Sequence, residues 1–172
     1  MIRPTRYERY QTKLKLAKTY PIGVCTVNFV TDENICFVIR AAACFGVPDV
    51  HVIGKLPDRP ILKKKSASTM DYVRLYQYSY PSEFLSYVRS SKSRLVVAEL
   101  TEDARPISEL VFTPGEKIII CTGAETAGVT QDIISAGEVY YIPMPGPAWC
   151  ANTSQIMNIM LYEYVRQIEG RK

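Results

Sequence analysis

The chain has 172 residues, of which 47% are hydrophobic and 22% charged, a balance that is typical of one globular domain and excludes a disordered or fibrous chain. No apolar stretch approaches the roughly 20 residues that span a bilayer, and the amino terminus has no apolar secretory segment, so neither a membrane anchor nor export is expected. The net charge of +4 is modest, but the basic residues are concentrated in two places.

The first basic cluster lies at the start of the chain, where six residues stand against the single acid Glu8: Arg3, Arg6, Arg9, Lys13, Lys15 and Lys18. Residues Pro4 to Lys18 have the spacing of an amphipathic helix, whose apolar face is formed by Tyr7, Tyr10, Leu14 and Ala17. Such a helix can dock through that face while it presents its basic side chains. Because basic patches attract polyanions, we expect it to bind one, with a merely solvated helix face as the alternative.

A strand, a helix and a second strand follow. The sequence predicts a strand over Val24 to Val30 and a turn over Thr31 to Glu33. A helix is predicted from about Asn34 to Phe45, where Gly46 ends it. The apolar run Val50 to Ile53 then predicts a second strand. Together they form a βαβ unit, which is normally parallel and right-handed.

The middle of the chain carries the second basic cluster, the run Lys63 to Lys65. Gly54 to Met70, which contains this run, carries prolines and small polar residues, a composition that predicts an exposed loop. Pro81 to Ser91 has helical spacing, and Leu95 to Ala98 predicts a buried strand.

The second half continues the alternation. The sequence predicts a strand over Ile118 to Cys121 and a turn over Thr122 to Gly128 (TGAETAG). A short helix is predicted over Gln131 to Ala136 and a last strand over Tyr140 to Ile142. A Pro/Gly-rich loop and an apolar helix follow. Strands that alternate with helices predict an α/β fold with one largely parallel sheet and helices on both faces. No domain-sized linker interrupts the pattern, so residues 1–172 are expected to form one domain, with residues 1–20 as an N-terminal basic helix.

Three predicted strands end in segments suited to a ligand. Such sheets bind ligands outside the carboxyl ends of their strands, and those ends carry Glu99 with Leu100, the turn at 122–128 and the loop at 143–152. The turn has neither the Gly-Lys-Ser/Thr of a P-loop nor the GxGxxG fingerprint. Glycines in the turn and the loop suit an adenosine-like group held by main-chain hydrogen bonds and apolar walls. One such turn is often only structural, but two together favour a ligand site.

Metal and disulfide chemistry are not expected. The five cysteines form no Cys-x-x-Cys pair and lie mostly in apolar segments, so we expect reduced thiols and a cytoplasmic protein. The single histidine, His51, stands in an apolar run and is interpreted as a strand residue and not as a zinc ligand.

Two segments resemble the first two motifs of the SpoU/TrmH branch of the SPOUT RNA methyltransferases. Residues Asp32 to Gly54 (DENICFVIRAAACFGVPDVHVIG) are similar to the first motif, with Asn34 and Arg40 in register. Cys36 stands where the family has Gly or another small residue. Residues 122–131 (TGAETAGVTQ) are similar to the second motif through three residues: Gly123, Glu125 and Gly128.

A third segment, residues 142–167 (IPMPGPAWCANTSQIMNIMLYEYVRQ), resembles the third motif through six residues: Ile142, Pro143, Met144, Gly146, Asn152 and Ser154. Cys150 departs from the family pattern, which has serine there. The helix that follows has an apolar stripe broad enough for burial against both its own domain and a partner subunit: Met157, Met160, Leu161, Tyr164 and Val165.

The resemblance implies an α/β fold with a C-terminal trefoil knot, bound S-adenosylmethionine, a homodimer, and methyl transfer to a ribose 2′-hydroxyl of RNA. The start PTRYERY is similar to the N-terminal helix of the tRNA-specific TrmH subgroup, which indicates tRNA and its D-loop guanosine 18 as the target. An rRNA enzyme, a tRNA wobble-position enzyme and a non-catalytic RNA-binding protein that kept the fold are the alternatives.

The resemblance also implies roles for individual residues. It assigns catalysis to five of them: Arg40, Asn34, Glu125, Cys150 and Asn152. It assigns the cofactor to seven: Glu99, Leu100, Thr122, Gly123, Ile142, Met144 and Ala151. The two basic clusters are expected to bind RNA: Arg6, Arg9, Lys13, Lys63, Lys64 and Lys65. Asn34 is also expected to cap its helix. Arg40 is either a general base or a phosphate ligand, and the high pKa of arginine favours the second role.

Overall fold

The computed structural model describes residues 5–27, 31–148 and 150–170, and Arg6 through its backbone only. The helices are α1 Arg6–Lys15, α2 Asp32–Cys44, α3 Arg59–Lys65, α4 Pro81–Ser91, α5 Gln131–Ala136 and α6 Thr153–Glu169. The strands are β1 Ile22–Val27, β2 Asp49–Ile53, β3 Arg74–Tyr78, β4 Arg94–Ala98, β5 Arg105–Pro106, β6 Ile118–Thr122 and β7 Glu138–Tyr141.

The seven strands form one sheet in the order β3-β2-β1-β6-β4-β7-β5. Each of the six strand pairs is parallel. The central strands β1 and β6 are buried along their whole length, because a parallel sheet is covered on both faces. Their near-continuous apolar sequence follows from that burial, and the predicted α/β fold is confirmed.

Helices pack on both faces of the sheet. On one face, Ile39 of α2 and Met157 of α6 belong to the same buried cluster as Val24 of β1. On the other face, Phe84 of α4 and Ile133 of α5 lie in a second cluster. Successive strand residues point to opposite faces, so every strand except β5 contributes to both clusters. The pairing of α2 with α6 on one face brings the first and third motif segments together.

Gly46 ends α2 as the sequence predicts. Its φ is +73°, and a Cβ atom there would lie 2.4 Å from the backbone oxygen of Lys18. The Val47 N–H donates to the Ala42 oxygen at 2.9 Å, which closes the helix end in a Schellman arrangement. The chain can therefore turn directly into β2.

The prediction of an exposed loop over residues 54–70 is wrong. Helix α3 and the start of a 3₁₀ turn at Thr69–Tyr72 lie there, and both Leu62 and Met70 are buried. The edge strands β3 and β5 were also not predicted from the sequence.

The first helix begins two residues later than the sequence predicts, and Pro4 lies outside the described residues, as does Arg3. Thr5 and Glu8 form a capping box, in which the Glu8 N–H donates to Thr5 Oγ1 at 3.2 Å and the Thr5 N–H to Glu8 Oε2 at 2.7 Å. The apolar stripe of α1 is exposed, with Tyr7 70% accessible. Within the described part of the chain, no helix has the length and apolar character needed to cross a bilayer.

Candidate active site

A cavity of about 570 Å³ opens at the carboxyl edge of the sheet, between the ends of β4, β6 and β7 and the start of α6. All seven residues that the sequence assigns to the cofactor line it: Glu99, Leu100, Thr122, Gly123, Ile142, Met144 and Ala151. Glu125, Cys150 and Asn152 line it as well. The volume lies within the roughly 300–1,000 Å³ of small-molecule pockets.

The turn after β6 can only be made with glycine at two positions. A Cβ atom on Gly123 would lie 2.2 Å from the backbone carbon of Gly128, and Gly128 itself has φ +63°. Ala124 and Gly128 exchange two backbone hydrogen bonds of 3.1 Å, which close the turn. The backbone of this tight turn therefore forms one wall of the cavity.

The floor of the cavity contains an unsatisfied polar group. Thr122 is buried, and its hydroxyl has no hydrogen-bond partner among the described residues. A buried hydroxyl without a partner is costly, so this group fits a polar atom of a ligand. The cavity therefore combines the Thr122 hydroxyl and the backbone of the turn with the apolar side chains of Ile142 and Ala151. This combination fits an adenosine-type cofactor.

A chain of hydrogen bonds connects the three motif segments. Glu125 Oε1 accepts from the Thr31 N–H at 3.3 Å, from Thr31 Oγ1 at 3.1 Å, and from Asn34 Nδ2. Asn152 Nδ2 donates to Asn34 Oδ1 at 2.9 Å. Asn152 Oδ1 in turn accepts from the N–H and the hydroxyl of Ser154, at 2.9 and 2.6 Å. The turn after β6, helix α2 and helix α6 thus hold one another at this edge.

The expectation that Asn34 caps α2 is wrong. Thr31 is the N-cap residue, and Asn34 is the third residue of the helix, where it is buried and donates to Thr31 Oγ1 at 3.0 Å. Asn152 does cap α6, in a capping box with Gln155. Sequence reasoning missed Thr31, although a threonine before an acidic first turn is a recognisable start signal.

Arg40 lies on the exposed side of α2, beside a second cavity of about 540 Å³. This cavity is also lined by Phe37 and Cys44 of α2, by Ser154 of α6 and by Asn152, the residue before α6. Among the described residues no carboxylate pairs with Arg40, so its guanidinium is available to an anion. Asn152 lines both cavities, which places them side by side.

The two cysteines that depart from the motif pattern lie in different environments. Cys36 is fully buried within α2, and burial raises the pKa of its thiol to about 11. It therefore acts as a small core residue. Cys150 is exposed at the first cavity. Trp149, its neighbour, lies outside the described residues.

The predicted RNA-binding residues are distributed over two helices. Lys63 pairs with Asp71 at 3.0 Å and Lys65 with Glu33 at 2.7 Å, so part of the charge of α3 is offset. Lys64 is exposed and pairs with no acidic side chain in the described ranges. On α1, Arg9 and Lys13 are exposed, and the side chain of Arg6 lies outside the described residues.

A family model described as the SpoU rRNA Methylase family matches residues 21–162. No curated protein sequence gives a significant match.

Many solved structures share the fold, and three of them illustrate the likeness. The A. aeolicus TrmH/SpoU tRNA modifying enzyme is 20% identical with a TM-score of 0.80, over 96% of this chain and 85% of that chain. A structure concerned with 2-OH methylation of C/U34 on tRNA is 25% identical with a TM-score of 0.75, over 87% of this chain and 97% of that one. The SpoU methyltransferase AviRb from Streptomyces viridochromogenes in complex with AdoMet is 24% identical with a TM-score of 0.77, over 86% of this chain and 60% of that one.

Proposed function

Because the chain belongs to the SpoU rRNA methylase family, we propose that it is an S-adenosylmethionine-dependent RNA 2′-O-ribose methyltransferase that acts on tRNA. The observation that carries the proposal is the pair of adjoining cavities. One has the residues expected to hold the cofactor, the other has Arg40, and Asn152 borders both. A methyl donor and a ribose can therefore be held next to each other.

The first cavity is where this chain would hold S-adenosylmethionine, which when bound supplies an electrophilic methyl group. The unpaired Thr122 hydroxyl and the backbone of the turn from Gly123 offer hydrogen bonds to the polar edge of the cofactor. Ile142, Met144 and Ala151 offer the apolar wall. Cys150 provides a weaker hydrogen-bond partner than the serine of the family pattern.

Arg40 would bind the phosphate next to the target ribose. A ribose 2′-hydroxyl is a weak nucleophile, so holding it in line with the methyl group contributes several kcal/mol. A bidentate guanidinium–phosphate contact supplies that positioning without any change of protonation. A guanidinium stays protonated in proteins and is therefore a poor base. We therefore assign Arg40 to phosphate binding.

The surfaces that would contact RNA are the exposed basic residues of α1, Arg9 and Lys13, together with Lys64 of α3. These residues would bind the phosphate backbone without reading its sequence. The fold likeness to a tRNA modifying enzyme over 96% of this chain supports tRNA, and guanosine 18 of the D-loop is our first candidate nucleotide. A homodimer and a cytoplasmic location complete the proposal.

A second candidate target is the wobble nucleotide of tRNA. It is supported by the structure concerned with C/U34 methylation, which is 25% identical and matched over 97% of its length.

The test is transfer of a labelled methyl group from S-adenosylmethionine to a mixture of tRNA and rRNA, followed by mapping of the modified nucleotide. Label at a ribose 2′-oxygen of tRNA supports the proposal, and its position distinguishes guanosine 18 from the wobble nucleotide. Label on rRNA alone would reject the tRNA assignment. RNA binding without any transfer would instead favour a non-catalytic RNA-binding protein.

A further inference from the structure

Glu99 follows β4 directly and lines the first cavity. Its backbone N–H donates to the Tyr140 oxygen at 3.1 Å, next to the end of β7. Its Oε2 accepts from the Val129 N–H at 2.8 Å, and its Oε1 accepts from the Leu100 N–H at 3.0 Å. Both carboxylate oxygens are therefore bonded to the protein's own backbone.

The same carboxylate lies against the turn after β6. A Cβ atom on Gly128 would lie 2.5 Å from Glu99 Oε2, so the turn backbone approaches the carboxylate as closely as only glycine permits. Val129, which donates to that oxygen, is the next residue along the chain. Glu99 thus fixes the point at which the turn leaves the cavity.

Glu125 lies inside this turn, between the mutually bonded Ala124 and Gly128. Its carboxylate accepts from Thr31 and Asn34 of the α2 start, and Asn34 in turn bonds Asn152. A displacement of the turn would therefore move Glu125 and disturb the hydrogen bonds that orient α2, the helix that carries Arg40.

We propose that Glu99 is a positioning residue whose carboxylate clamps the 124–128 turn and thereby sets the geometry of both cavities. The inference rests on the proposed function, because it assigns a role in cofactor binding and methyl transfer. It differs from the prediction that Glu99 binds the cofactor directly. A charge-assisted hydrogen bond to a backbone N–H is strong enough to hold a turn of this size.

The first experiment compares Glu99→Ala, Glu99→Gln and the control Glu102→Ala, which removes an exposed carboxylate from the same loop. We expect Glu99→Ala to weaken binding of S-adenosylmethionine by about tenfold to a hundredfold, the usual effect of losing a charge-assisted hydrogen bond. The kcat for methyl transfer should fall too, because displacement of the turn disturbs α2 and the position of Arg40. Glu99→Gln should be intermediate, since its amide oxygen can still accept from Val129.

Calorimetric titration with S-adenosylmethionine measures the affinity, at a temperature where melting curves show each variant folded. If Glu99→Ala binds as tightly as the wild type, the inference is wrong. If the wild type itself binds no S-adenosylmethionine, it is the proposed function that fails. If KM for RNA rises while cofactor affinity is kept, Glu99 belongs to the RNA surface and the clamp is rejected.

A double-mutant cycle with Gly128→Ala tests whether Glu99 acts through the turn. In the wild type the added methyl group meets the Glu99 carboxylate, so Gly128→Ala should weaken cofactor binding strongly. In the Glu99→Ala background that contact is gone, and the further loss should be smaller. Strictly additive losses would overturn the clamp.

A comparison of S-adenosylhomocysteine with its 2′-deoxy analogue tests whether Glu99 binds the cofactor directly. If Glu99→Ala no longer discriminates between the two, Glu99 contacts the cofactor ribose and the clamp is rejected.

Discussion

At the scale of single residues, Arg40 is notable because no acidic side chain among the described residues pairs with it. The arginines that begin β3 and β4 are paired, as Arg74 is with Asp49 at 2.6 Å and Arg94 with Glu138 at 2.6 Å. These ion pairs connect neighbouring strands of the sheet. Arg40 has no carboxylate partner among the described residues and lies at a cavity instead. This is the arrangement expected of a side chain that binds an anion from outside.

We predict that Arg40→Ala lowers methyl transfer by at least about a hundredfold, because a charged hydrogen-bond donor to phosphate is lost. Cofactor affinity should stay within about twofold of the wild type, because Arg40 does not line the first cavity. Single-turnover transfer and calorimetric titration measure the two quantities separately. Arg40→Lys is the matched variant, since it keeps the charge but not the bidentate geometry, and it should retain part of the rate. Undiminished transfer by Arg40→Ala would exclude the assignment.

At the scale of secondary structure elements, α6 depends on Asn152 for both its start and its connection to α2. The side-chain oxygen caps the helix, and the side-chain nitrogen donates to Asn34 at 2.9 Å. We predict that Asn152→Ala destabilises the protein by about 1–2 kcal/mol, since the cap is lost and Asn34 loses a donor.

Asn152→Asp provides the control, because aspartate caps helices as well as asparagine but cannot donate to Asn34. Urea unfolding should show a smaller loss for Asn152→Asp than for Asn152→Ala, while methyl transfer falls in both variants. Equal stabilities for Asn152→Ala and the wild type would show that the cap contributes nothing.

The elements differ in how far the sequence predicts them. The central strands and α2 have strong local signals, namely continuous apolar runs and a glycine stop, and they lie within a few residues of their predicted bounds. Residues 28–30, at the predicted end of the first strand, lie outside the described residues. Helix α3 was missed because its proline and its lysines suggest a loop. Pro60 in fact lies in the first turn, where no helical N–H is required, and Leu62 anchors the helix. β5, with only two residues, has no periodicity to detect.

The hydrogen bonds of the candidate site are harder still to predict. Thr153 Oγ1 donates to the Gly123 oxygen at 2.8 Å, across 30 positions of sequence, and Asn152 meets Asn34 across 118. Such contacts depend on the packing of α6 beside α2, which no local pattern specifies. Resemblance to a family supplied the residues, and the fold brought them together. The trefoil knot stays a prediction.

At the scale of the whole molecule, α2 and α6 leave large apolar side chains uncovered. Phe37 is 45% exposed, Ile159 40% and Tyr162 60%. We predict a homodimer that covers this face, and that Phe37→Glu combined with Tyr162→Glu gives a monomer, because two charges cannot be buried without partners. Light scattering after size exclusion measures the mass. The control Tyr72→Glu, at an exposed tyrosine of the 3₁₀ turn, should remain dimeric. A dimeric double variant would reject this interface.

The stability of the whole molecule should also depend on pH through His51. The side chain is 1% exposed, its Nδ1 lies 3.0 Å from the Tyr78 hydroxyl, and the rings of Tyr76 and Tyr87 lie 4.9 and 4.7 Å away. Burial lowers its pKa to about 4, although the charge of Asp49 opposes this shift. The ring is therefore neutral in the folded protein, whereas the unfolded chain takes up a proton near pH 6.5.

Because only the unfolded state gains this proton, the free energy of unfolding should fall as the pH falls from about 6.5 to about 4, by on the order of 3 kcal/mol. Glu138 titrates in a separate window, since Arg94 holds its pKa at about 2 and its contribution is lost only below about pH 4.5. Urea unfolding of His51→Phe between pH 7 and pH 4.5 should show a flatter dependence than the wild type. Tyr87→Phe keeps the histidine and should keep the slope. If His51→Phe and the wild type lose stability in parallel, another group is responsible for the dependence.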